Sequence, residues 1–138
     1  MRILKLMAAL GSAVLMLSPV SLAQSVQTGG CANPQTQTDM NICAGESLRA
    51  ADGDLNADYK MARDAMRNID SYLDGDSKGA AKALLTAQRA WIKYRDGACE
   101  AEGFSVRGGS MEPLVVATCH ERLTRQRSED LRRLFEQN

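Results

Sequence analysis

Four cysteines, Cys31, Cys43, Cys99 and Cys119, carry the most explicit chemistry in this 138-residue chain. An even number in an exported protein reads as a disulfide framework, and four cysteines allow three pairings. Separations of twelve and twenty residues favour sequential pairing, Cys31 with Cys43 and Cys99 with Cys119, because each bridge then closes a short loop. Each would contribute about 3 kcal/mol if unstrained. A metal site on Cys119 and His120 is disfavoured, since there is one histidine, no C-x-x-C pair, and helical neighbours diverge by about 100°. No catalytic set accompanies the cysteines. A lone His120 has no Ser-His-Asp motif around it, and the glycines from Gly103 to Gly109 follow a helix and match no phosphate-binding loop. Asp74-Gly75-Asp76 lacks the ligands of a calcium loop, and Asp52 and Asp54 diverge on a helix. The expectation is a non-enzyme with no cofactor and no metal.

The second chemically distinctive stretch runs from Gln88 to Asp96 and holds the only tryptophan. Helical spacing aligns Ala81, Leu84, Gln88, Trp91, Ile92, Arg95 and Cys99 on one face that must meet a core. A guanidinium near an apolar interior requires a carboxylate or backbone oxygens, so a polar network is expected around Gln88 and Arg95. Gln88, Trp91, Arg95, Asp96 and Arg127 are therefore read as a structural motif, with Trp91 filling the core. Counting from the connections places Asp52 and Glu121 level with Arg95, and Arg127 near Trp91, where it would stack on the indole.

The elements that position these residues follow a removable leader. Arg2 and Lys5 precede an apolar run from Leu6 to Leu17, then Ser21-Leu22-Ala23, so residues 1–23 read as a signal peptide and the protein as periplasmic or secreted. The run is too short for a comfortable membrane span. Lipidation at Cys31 is the weaker alternative, because Thr28 stands where a lipoprotein has an aliphatic residue and polar residues 24–27 intervene. The chain has a formal net charge of zero, and cleavage leaves 15 basic against 17 acidic residues, which gives no general reason to expect nucleic acid as a partner.

Few aromatics and three prolines favour an all-α fold. Residues 24–35 form an irregular lead-in, and 36–138 form the domain. Thr36 and Asp39 make a capping box for a first helix whose face is Met40, Cys43, Leu48, Ala51, Leu55, Tyr59, Ala62, Met66 and Ile69. Gly45 and Gly53 weaken it locally by about 1 kcal/mol each. Turn residues 70–77 lead to a second helix over 78–101, with Ser77 as its expected cap. Residues 102–110, with three glycines, are expected to be the most flexible stretch of the domain. Ser110 is then expected to cap a third helix that presents Leu114, Ala117, Leu123, Arg127, Leu131 and Leu134. The architecture is a monomeric three-helix antiparallel bundle pinned by two disulfides.

The order of motifs resembles the lysozyme inhibitor LprI family, specifically its N-terminal domain. The matching residues are Thr36 to Cys43, Asp54-Leu55-Asn56 with Tyr59, Ala87 to Asp96 with Cys99, Gly108-Gly109-Ser110, and Cys119 with Leu123-Thr124 and Arg127. The resemblance spans residue 31 to the C-terminus and implies a small exported helical protein with lysozyme as its partner. Lysozyme works with two carboxyl groups across the scissile bond, which a basic or hydroxyl side chain on an inserted loop could hydrogen-bond. Arg107, flanked by Ser105 and Ser110, is the best candidate contact, and Lys78 near the other connection is a poorer one. The alternative is a structural or interaction module of the cell envelope.

Overall fold

The structure is a computed structural model that describes residues 30–136. The expected signal peptide, and the lead-in before Gly30, lie outside the described residues. Three helices make up the fold: α1 (Gln37–Tyr72), α2 (Ala80–Gly103) and α3 (Glu112–Glu136). Single 3₁₀ turns, Gly75–Ser77 and Phe104–Val106, stand in the two connections. Among the described residues there is no strand, and no helix is long and apolar enough to cross a membrane.

Helix α1 starts as its capping box dictates. Thr36 Oγ1 accepts from the Asp39 amide and Asp39 Oδ2 accepts from the Thr36 amide, each at 3.1 Å. At 36 residues it spans about 54 Å and continues unbroken through Gly45 and Gly53. The local cost of those glycines is outweighed by packing, chiefly against α3. Ala44, Ala51, Leu55 and Ala62 are buried along α1, facing a helix whose buried residues include Thr124, Ser128 and Leu131. Small side chains let two backbones approach closely, which is why these helices share the most extensive interface.

The apolar interior falls into two parts. Leu55, Ala62, Leu84 and Leu131 form one cluster, with Tyr59, Met66, Trp91, Leu134 and Phe135 packed on it. Cys99, Cys119 and Leu123 form the other. Trp91 is thus half-buried at the edge of the first cluster rather than its filling, and Ile92, expected on the inner face, is 41% exposed. Both expected disulfides are present, Cys31–Cys43 and Cys99–Cys119, with Cα–Cα distances of 5.4 Å. The first folds the lead-in onto α1, and the second joins the end of α2 to the start of α3.

The caps of the later helices differ from the expectation. Ser77 lies in the 3₁₀ turn, and α2 begins three residues after it, at Ala80, with Gly79 at the cap position and no side-chain cap of its own. The orphan amides are met from α1: Asp70 accepts from Gly79 and Ala80 through Oδ1, both at 2.8 Å, and from Ala81 through Oδ2 at 3.0 Å. A carboxylate serves a helix N-terminus better than a hydroxyl does, because it meets several amides and the positive end of the dipole together. Ser110 likewise is not the cap of α3. The first turn of that helix closes through the Val115 amide and the Met111 carbonyl at 3.0 Å, while the Ser110 carbonyl accepts from Asn41 Nδ2 of α1 at 3.2 Å.

The amides of Gly79, then Ala81 and Ala80, with Lys78 nearby, hold the Asp70 carboxyl below its ordinary value. A carboxyl depressed in the folded state stabilises it above the unfolded value near 3.8, and that contribution is lost as pH falls through the folded pKa. Asp70→Asn therefore lowers the melting temperature at pH 7 and narrows the gap between pH 7 and pH 3, measured by thermal denaturation followed by circular dichroism.

Candidate functional site

Two constellations bear on function: a polar layer across the middle of the bundle and an exposed tip at the α2–α3 connection. The layer lies between the two apolar clusters and is centred on Arg95, whose side chain is only 17% exposed. Its Nη1 donates to Asp52 Oδ1 of α1 and to Thr124 Oγ1 of α3, both at 3.2 Å, and its Nε donates to Asp96 Oδ1 at 3.0 Å. The guanidinium also lies over Trp91, 5.2 Å from the ring centroid. A neighbouring bond runs from Arg127 Nε to Gln88 Oε1 at 3.0 Å.

The structural motif is thus brought together, with two changes of partner. Arg95, not Arg127, covers the indole, because Arg95 sits one helical turn beyond Trp91 whereas Arg127 is taken by Gln88. Glu121 does not meet Arg95; it accepts from Arg125 Nε at 2.9 Å, its partner one turn along α3. His120 completes the layer, with Nε2 3.9 Å from Asp96 Oδ1, shut off from solvent and without a hydrogen-bond partner. Burial, then the charge of Arg95, pushes its pKa down against the opposing pull of Asp96 and Asp52. Arg95 bridges α1, α2 and α3 through Asp52 and Thr124, Arg127 joins α3 to α2 through Gln88, and Cys119 is spent in its disulfide, so most of the polar groups here are engaged within the bundle.

The tip is different in kind. Phe104 and Met111 are 58% and 47% exposed, and Arg107 stands between them in sequence with its guanidinium 4.6 Å from the Phe104 ring centroid. Arg107 Nη1 donates to Glu112 Oε1 at 3.0 Å, and Glu112 Oε2 accepts from the Gly108 amide at 2.7 Å. Gly108 takes φ of +77°, which a side chain would strain, and this bend closes the Gly109 amide onto Val106 O at 3.0 Å. The expected flexible stretch is therefore a tied turn. It surrounds an open hollow of about 520 Å³ lined by Phe104, Ser105, Val106, Arg107, Gly109, Ser110 and Met111.

The candidate contacts divide accordingly. Arg107, Ser105 and Ser110 meet around one hollow, although Ser105 Oγ is already given to Glu102 O at 2.9 Å. Lys78 lies in the α1–α2 connection and is exposed there, remote in the topology from this tip. Phe104, Met111 and Glu112 join the tip without a sequence signal that marks them as contacts. The exposure of two large apolar residues follows from how the chain leaves α2, which no periodicity encodes.

The sequence model of the family described as Lysozyme inhibitor LprI matches residues 30–131. An uncharacterized protein of Rhizobium meliloti (strain 1021) is 49% identical over 109 residues, covering 77% of this chain and 78% of that one. A solved structure of a DUF1311 family protein from Pseudomonas putida KT2440 is similar with a TM-score of 0.64 at 25% identity, covering 77% of this chain and 100% of the other.

Two outcomes test the geometry. A Cβ at Gly103 would lie 2.6 Å from Val116 Cγ2, so Gly103→Ala destabilises the domain by about 1–3 kcal/mol in a urea titration. For His120, the native state stays neutral while the unfolded chain takes up a proton below about pH 6.5. Stability then falls as pH drops from 6.5 towards the lowered folded pKa, and His120→Gln flattens that part of a stability profile measured between pH 7.5 and 5.

Proposed function

The chain belongs to the lysozyme inhibitor LprI family, and on that premise we propose that it is an exported, non-enzymatic inhibitor that occludes a lysozyme cleft with its α2–α3 tip. The observation that carries this reading is the held arginine: Arg107 is stacked on Phe104 and tied to Glu112 at the rim of an exposed hollow. A cationic group flanked by exposed Phe104 and Met111 has the composition of an interface anchor, where aromatic, methionine and arginine side chains are enriched. Holding the side chain before contact reduces the entropy lost on binding.

The chemistry fits the enzyme's own. A guanidinium has five N–H donors, and the bond to Glu112 uses Nη1 alone. The remaining donors are free to meet a catalytic carboxylate in bidentate fashion, and the apolar flanks would take the place of sugar rings. Both disulfides stiffen this end of the bundle: Cys99–Cys119 lies directly behind the tip, and Cys31–Cys43 anchors the start of α1, whose Asn41 bonds to Ser110. A rigid presenting surface is what an inhibitor needs and what an envelope scaffold does not specifically require.

Export is part of the reading. A leader of the form in residues 1–23 and two intramolecular disulfides suit an oxidising compartment, the periplasm or the outside of the cell. The Cys31 sulfur, engaged with Cys43, leaves no thiol for a lipid. The domain acts as a monomer, with no cofactor and no metal.

The test is inhibition of purified c-type lysozyme by the oxidised domain at physiological salt, with reduced protein as control. Dose-dependent inhibition that is lost on reduction supports the assignment. Arg107→Ala then weakens inhibition by about tenfold or more while the melting temperature is unchanged, since the Arg107 side chain is 55% exposed and such a surface ion pair contributes little to stability. Equal inhibition by the variant removes Arg107 from the interface, and no inhibition of any lysozyme class favours an envelope interaction module.

A further inference from the structure

A near-neutral chain conceals a strong segregation of charge. Between residues 78 and 95 there are Lys78, Lys82, Arg89, Lys93 and Arg95 and no acidic residue. Arg95 is consumed by the polar layer, but Lys82 faces α1 across a groove of about 300 Å³ lined by Tyr59, Arg63, Arg67, Ala81, Lys82 and Leu85. Cations thus stand on both walls, and the floor is a phenol ring with two aliphatic side chains.

These cations are poorly satisfied from within. Arg63 and Lys82 have no carboxylate partner among the described residues, and Arg63 Nε is shut off from solvent without an acceptor. Arg67 has Asp64 at 3.5 Å, but both are more than half exposed, so that pair is weak and its guanidinium is available. Buried or half-buried donors that find no acceptor are uncommon in folded proteins. Arg63 Nε is such a donor, and the exposed Arg67 and Lys82 bring two further positive charges to the same groove, a combination that suits an anion.

We propose that the α1–α2 groove binds an oxyanion, phosphate or carboxylate, carried on an apolar body. Arg63 and Arg67, one turn apart on α1, offer forked donors to the oxygens, and Lys82 adds a point charge from α2. Tyr59, Ala81 and Leu85, the last 39% exposed, take the body. The concave shape with charge on opposite walls suits a single amphiphilic molecule rather than a flat surface. The site stands apart from the Arg107 tip, nearer the other connection.

Isothermal titration of the oxidised protein with hexyl phosphate, inorganic phosphate and uncharged hexyl glucoside tests this. Hexyl phosphate should bind, inorganic phosphate should bind about tenfold more weakly, and hexyl glucoside should not register. Lys82→Glu, on an exposed helical position, and Arg63→Gln should each lower hexyl phosphate affinity by about tenfold, with Lys93→Ala, exposed on α2 outside the groove, as the control that leaves it unchanged. Unchanged affinity in both groove variants, or equal binding of the glucoside, overturns the site. Equal binding of inorganic phosphate makes it an adventitious ion only and overturns the assignment. Hexanoate in place of hexyl phosphate then decides between a carboxylate and a phosphate.

Discussion

One guanidinium is the common point of the bundle. Arg95 reaches Asp52 on α1 and Thr124 on α3 from its place on α2, while Asp96 and the face of Trp91 hold it within its own helix. Taking such a group out of water is costly, and the Coulombic return on a half-buried pair often does no more than offset that cost. Its value here lies in register: slide any helix by one turn and the charge loses its acceptors. Apolar faces alone, rich in alanine and leucine, would tolerate several registers at similar energy.

That register positions both ends of the molecule. At one end, two disulfides, the Asn41–Ser110 bond and the Arg122–Glu102 pair at 2.8 Å surround the connection that carries Arg107. At the other, Asp70 serves as the cap of α2 and sets how that helix leaves the turn. The covalent end is the one that presents Phe104, Arg107 and Met111. The groove with Arg63, Arg67 and Lys82 lies towards the end held by hydrogen bonds. The helices are therefore a frame between two surfaces of different chemistry.

Family membership suggests the class of partner, and the tip is the proposed place for it: a cation held in position by an aromatic face and a carboxylate. A solvated arginine on a loose glycine-rich loop would lose conformational entropy on docking that this one has already lost on folding. The same glycines that suggest looseness in the sequence produce a closed turn, because Gly108 adopts its positive φ and Glu112 reaches back to the Gly108 amide.

Local chemistry was legible in the linear order of residues. The Thr36–Asp39 box, the helical spacing of Leu55, Ala62, Leu84 and Leu131, the cysteine separations and the need of Arg95 for a carboxylate all depend on neighbours within a few turns or on elementary electrostatics. What depended on contacts between helices was not legible. Ser77 looks like a cap until Asp70 arrives from another helix, Ile92 belongs to the periodic stripe but is left 41% exposed by the packing of α2, and Arg127, expected over the indole, bonds Gln88 instead. In each case the outcome turns on how one helix meets another. Only the packed bundle, which sets the distances between helices, decides that outcome.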